Sequence, residues 1–128
     1  MTRAEIATMI AGIGKPNAYD HFEKPQEPPY ICFLYPNSDD FMADDGNYAS
    51  ITSLVIELYT DNVDFTLEAA VENALATVGL PYVRSRERID SERMYQTTYE
   101  TEVLLTPDPP TPTEAGTDNT EVLDTDGQ

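Results

Sequence analysis

Four of the seven basic residues in this 128-residue chain fall within ten positions: Arg84, Arg86, Arg88 and Arg93. Alternate residues of a β-strand share a face, so the spacing of two sets Arg84, Arg86 and Arg88 side by side. Such a stripe has four readings. It is a solvated strand face, it pairs with Glu100 and Glu102 across a hairpin, it lies between subunits and meets the acidic loop 39–45 of a neighbour, or it contacts DNA, which the negative field around it disfavours. A segment of the opposite sign stands upstream at 36–47, where Asp39-Asp40 and Asp44-Asp45 frame the apolar pair Phe41-Met42. An apolar pair on a polar loop either tucks onto its own core or docks on a partner. The candidate interface residues are therefore Asp39, Asp40, Phe41, Met42, Asp44, Asp45, Arg84, Arg86 and Arg88.

Chemistry of other kinds finds no foothold. His21 is the single histidine and Cys32 the single cysteine, which is too few for a zinc site or a Cys–His nucleophile. Gly12-Ile13-Gly14-Lys15 lacks the spacing and the Ser/Thr of a phosphate loop, and it follows a helix where such a loop follows a strand. The run 40–46 lacks the alternating acids of a calcium loop. With 24 carboxylates in the chain, adjacent acids arise by chance. No catalytic, cofactor or metal residue is expected, and the chain does not read as an enzyme.

The formal charge of −17 argues against direct binding to a nucleic-acid backbone, whose affinity comes from clustered Lys and Arg. It fits a surface that DNA slides past, or one that imitates DNA. Cys32 sits among apolar residues and has no partner for a disulfide, the profile of a reduced core thiol. No apolar run approaches the ~20 residues of a membrane span, nor does the N-terminus resemble a signal peptide. A soluble protein made in the cytoplasm is expected.

Periodicity supplies the elements that must position these residues. Thr2 and Glu5 have capping-box spacing, and Ile6, Met9, Ile10 and Ile13 share one helical face. Gly12, Gly14 and Pro16 end that helix, and the proline-bearing stretch 15–29 reads as an irregular connection. A first strand over 30–35 is apolar on both faces, so it should be central or covered on its second face. Residues 36–47 form a connection longer than ordinary hairpin loops, either a working loop or an extended β-arm.

A second strand, 48–59, leads through Thr60-Asp61-Asn62 to a helix capped by Asp64, with Leu67, Val71, Ala74, Leu75 and Val78 buried and Gly79 closing it. Strands over 82–89 and 93–105 complete the order α-β-β-α-β-β. The simplest packing is an α+β fold: an antiparallel-rich sheet with both helices on one face. After Leu105 the composition shifts to four prolines, six threonines, six acids and no base, leaving residues 1–105 at −11. Residues 1–105 thus form the domain, and 106–128 an extension that should be disordered on its own.

The segments 29–35, 54–59 with Thr60-Asp61, the helix 67–75 and the strand 95–103 resemble, in order and apolar pattern, the lambda-type tail terminators and related tail-completion proteins of long-tailed bacteriophages. The likeness spans roughly residues 1–105; the acidic extension lies outside the family pattern. It implies a structural virion protein, assembled in the host cytoplasm and placed at the head-proximal end of the tail. There a homo-oligomeric ring, usually a hexamer, would stop growth of the tail tube. Its partners would be itself, the major tail-tube protein and a head–tail connector or stopper, with genome DNA passing through the lumen unbound. Another head–tail joining protein and an acidic DNA mimic are the competing classes.

Overall fold

A computed structural model describes residues 1–42 and 48–107. The elements are α1 (Arg3–Ala11), β1 (Asn17–Tyr19), β2 (Tyr30–Leu34), β3 (Ser38–Met42), β4 (Tyr48–Thr60), α2 (Phe65–Thr77), β5 (Val83–Ile89), a 3-10 turn (Asp90–Glu92) and β6 (Met94–Leu105). They make the α+β fold expected from periodicity. The sheet has six strands in the order β1-β2-β4-β6-β5, with β3 paired to β4 off that path.

The 13-residue β4 is the spine. One of its edges pairs with β6 along 50–60, and the other is shared end to end by β3 (against 48–52) and β2 (against 55–59). All pairings are antiparallel except β1 with β2, which run parallel. Two strands exceed the expected set. β1 has three residues, too few to show a period, and it forms because β2 offers it a ladder edge. β3 carries the polar stretch Ser-Asp-Asp-Phe-Met and is held by its hairpin with β4. Residues 38–42 are therefore the β-arm of the two alternatives for 36–47; 43–47, with Asp44 and Asp45, lie outside the described residues.

Both helices cover one face of this sheet. Ile6 and Ile10 of α1 and Leu67, Val71 and Leu75 of α2 meet Ile31, Phe33, Leu54, Ile56, Leu58, Tyr99, Val103 and Leu105 in one core. A nine-residue helix has no stability of its own in water. Burial of Ile6 and Ile10, about 1.5–3 kcal/mol each, holds α1 in place. The capping box adds to this: Glu5 N–H donates to Thr2 Oγ1 (3.1 Å), and Thr2 N–H to Glu5 Oε1 (2.8 Å).

Asp64 caps α2 as its position suggested, accepting from Leu67 N–H at 2.9 Å. At the far end Gly79 adopts φ 74°, a left-handed conformation open to glycine without a Cβ penalty. This lets Leu80 N–H reach Leu75 O and Gly79 N–H reach Ala76 O, and the chain turns back toward β5.

Candidate interface

The arginine stripe exists, and α2 lies over it. Arg84, Arg86 and Arg88 stand opposite Tyr99, Thr97 and Tyr95 of β6. Directly paired residues of an antiparallel ladder point to the same face, so the arginines share the side of buried Tyr99 and Thr97. Glu100 and Glu102 occupy alternate positions and point away. Register thus corrects the pairing of the stripe with those two glutamates; the solvated-face reading fails for half-buried Arg86, whereas Arg84 and Arg88 stay exposed.

Arg86 makes a two-pronged bond to Glu68 of α2: Nε to Oε2 at 2.7 Å and Nη2 to Oε1 at 2.6 Å. Glu68 is 3% exposed, and Thr97 Oγ1 donates to the same carboxylate at 2.9 Å. Arg84 donates from Nη1 to Glu72 Oε2 (2.9 Å), which also accepts from the Tyr99 hydroxyl (3.0 Å). Planar guanidinium against carboxylate is the strongest of the ordinary charged hydrogen bonds.

The Arg86 bond draws the Glu68 carboxyl below its ordinary pKa; burial opposes this, while Thr97 and the charge of Arg84 assist. Reciprocally, the bond from Glu68 raises Arg86, and the bond from Glu72 raises Arg84. Burial, and then Glu72, push the Tyr99 hydroxyl upward. The stripe therefore fastens β5 to α2. Its third member is looser: Arg88 bonds exposed Asp90 (3.2 Å) and lies over the Tyr95 ring at 5.2 Å.

Arg93 departs from the stripe. It occupies a left-handed position (φ 56°) that turns the 3-10 segment into β6. Sequence reasoning missed Glu68, although a signal was present. Position 68 falls three before Val71 and seven before Leu75, which puts it on the apolar face of α2. A carboxylate there needs a cationic partner.

The acidic candidates Asp39 and Asp40, with Phe41 and Met42, lie on β3, paired with Ile51, Ser50, Ala49 and Tyr48 of β4. They stand at the β4 side of the sheet, whereas the arginines occupy its opposite edge strand. The fold does not bring the two sets together within one chain.

The face of the sheet away from the helices is partly open. Ile51 and Leu104 are direct cross-strand neighbours with 45% and 52% of their surfaces exposed, and Val83 is 71% exposed. At the β1–β2 side the segment 20–26 returns over this face. Phe22 meets Tyr30 edge-on (5.4 Å), and Tyr30 stacks on Tyr59 (4.7 Å, 19°). The second apolar face of β2 is thus covered by the chain's own connection, leaving a cleft of about 480 Å³ between them. Cys32 in its floor is a buried free thiol, raised to about 11 by burial first and by Glu57 and Asp20 after it.

Among the described residues no group of three or more His, Cys, Asp or Glu side chains is arranged to hold a metal ion, and no helix is long and apolar enough to cross a membrane. No protein-family model matches the chain, and no curated protein matches it. Among solved structures the chain is similar to a chain of the virion of native gene transfer agent (GTA) particle, at 18% identity and a TM-score of 0.49, over 78% of this chain and 85% of that one. A likeness of this degree transfers neither a role nor a residue.

Proposed function

We propose that this protein is a structural component of a phage-type virion, a tail terminator that forms a ring at the head-proximal end of the tail. The observation that carries the reading is, among the described residues, a sheet with unlike edge strands, β1 and β3 on one side of β4 and β5 on the other, and with the two helices on one face. Unlike surfaces join copies head to tail, and head-to-tail contacts generate rings when the rotation closes. The element order agrees with the resemblance to tail-completion proteins, and the −17 charge suits a lumen through which DNA passes without adhering.

In this role one face of the ring mimics the next tube ring, and the other refuses further tube subunits and meets the connector. The β3–β4 hairpin with Phe41 and Met42 extends past the end of β6, since 48 and 49 pair with β3 alone, and so offers a contact to a neighbouring ring. The tests are the mass of the purified protein, alone and with tube protein, and micrographs of a knockout lysate. Filled heads without tails, beside unattached tails that are often too long, are expected. Normal-length tails still joined to heads would overturn the reading; normal tail length with failed joining would favour a connector station.

A further inference from the structure

The cleft beneath the 20–26 segment joins an aromatic floor to an acidic rim. Its floor is the Tyr30–Tyr59 stack with Phe22 against it, and its rim carries Asp20, Glu23 and Glu92. Beside the floor Glu57 accepts the Tyr59 hydroxyl at 3.0 Å. The rim's bases are His21, held by Asp20 at 3.0 Å and by Glu23 at 3.8 Å, and Lys24.

Elsewhere the chain sets its own arginines over aromatic rings: Arg3 over Tyr35, Arg86 over Phe65 and Arg88 over Tyr95, at 5.2–5.4 Å. Among the described residues the Tyr30–Tyr59 stack has no arginine of its own over it. Aromatic faces attract cations, and carboxylates at the rim add Coulomb attraction.

We propose that this cleft receives a lysine- or arginine-bearing segment of a partner protein. The charge complementarity is local: acids border the aromatic floor on the 20–26 segment and on the 3-10 turn. Burial first of all raises Tyr30, Cys32 and Tyr59; Glu57 adds to it at Cys32 and Tyr59, and Cys32, then Glu92 and Glu57, at Tyr30. The volume selects a polypeptide over a small amine. One guanidinium fills a fraction of about 480 Å³, whereas a segment with flanking residues also covers Ile89 and Met94. The inference does not depend on the ring reading, because it concerns one chain and one groove.

The experiment titrates full-length protein with a blocked Gly-Arg-Arg-Gly peptide and follows tyrosine fluorescence, which no tryptophan obscures. Saturable binding is expected. The rim variant Glu23→Gln/Glu92→Gln should weaken it about three- to tenfold, the loss of two exposed ion pairs. The variant Glu100→Gln/Glu102→Gln, which removes equal charge from the sheet outside the cleft, should leave affinity within about twofold on the same scale. Both rim positions are exposed, so folding is not at stake. Equal weakening by the two variants would reduce the effect to diffuse charge and overturn the proposal. So would equal affinity for a Gly-Gln-Gln-Gly peptide, equal affinity for arginine amide alone, or no saturable binding.

Discussion

The guanidinium of Arg86 and the carboxylate of Glu68 meet at 2.6 and 2.7 Å across the α2–β5 boundary, with Thr97 completing the carboxylate's partners from β6. Three elements are tied at one buried acid. A charge in such a place is tolerated because every oxygen is satisfied, and removing either partner exposes the cost of burying the other. The Phe65 ring lies 5.4 Å from the Arg86 guanidinium and flanks the pair.

Glu68→Ala should therefore destabilise the domain although it deletes a polar side chain. The loss of charged hydrogen bonds at a buried site corresponds to about 1.5–3 kcal/mol. In a domain of this size that lowers the thermal midpoint by on the order of 10 °C. Thermal unfolding followed by circular dichroism measures it. A change under about 2 °C would mean that the pair contributes nothing net, as a well-packed apolar replacement sometimes achieves.

The same pair sets an acid dependence. Glu68 is drawn below its ordinary value of 4.5 in the folded chain, so its contribution is fully present above that value and is lost as pH falls through the folded pKa. Wild type should lose stability below pH 4.5 more steeply than Glu68→Gln, whose amide does not titrate. Midpoints measured between neutral pH and strong acid should converge at the acid end. Parallel curves would show that the Glu68 carboxyl titrates alike in the folded and unfolded chain.

Among the stripe residues, Arg88 offers the cleanest test of an intersubunit role. Its Asp90 partner is exposed, so Arg88→Glu should leave the thermal midpoint within about 3 °C, the small effect of a surface ion pair. If the edge of β5 meets a neighbouring copy, this reversal should lower the oligomer mass seen by light scattering, most clearly at low salt. Unchanged mass at every salt concentration would remove Arg88 from the interface. Arg86→Glu cannot serve, because it would set a carboxylate against buried Glu68.

Truncation after Pro107 should leave folding nearly intact. Thr106 N–H donates to Met1 O at 2.8 Å, and Met1 in turn donates its amino group to Leu104 O at 3.1 Å, so the domain is closed by residue 106. The remaining segment has six acids and no base to contribute to the core. A midpoint shift below about 5 °C, less than roughly 1 kcal/mol, is expected on calorimetry of the shortened chain. A fall beyond about 8 °C would show that the extension packs on the domain.

Local pattern determined the helices and the long strands of this protein. The capping box at Thr2, the Asp64 cap, Gly79 and the alternation along 54–60 and 97–105 follow from steric and hydrogen-bonding rules that act over a few residues. The same alternation put Arg84, Arg86 and Arg88 on one face. Which face that was, and what lay on it, depended on the register of β5 against β6 and on where α2 packed. The register is set by ladder pairs five to 17 residues apart, and the packing of α2 by contacts 18 and 31 residues apart, Arg86–Glu68 and Tyr99–Glu68. The short strands β1 and β3 belong to the same class: they exist because β2 and β4 present unpaired backbone to them, and their own side chains carry no period. The aromatic cleft likewise required tertiary structure, since the β2–β4 pairing brings Tyr30 to Tyr59 and the return of 20–26 over the sheet brings Phe22 to Tyr30.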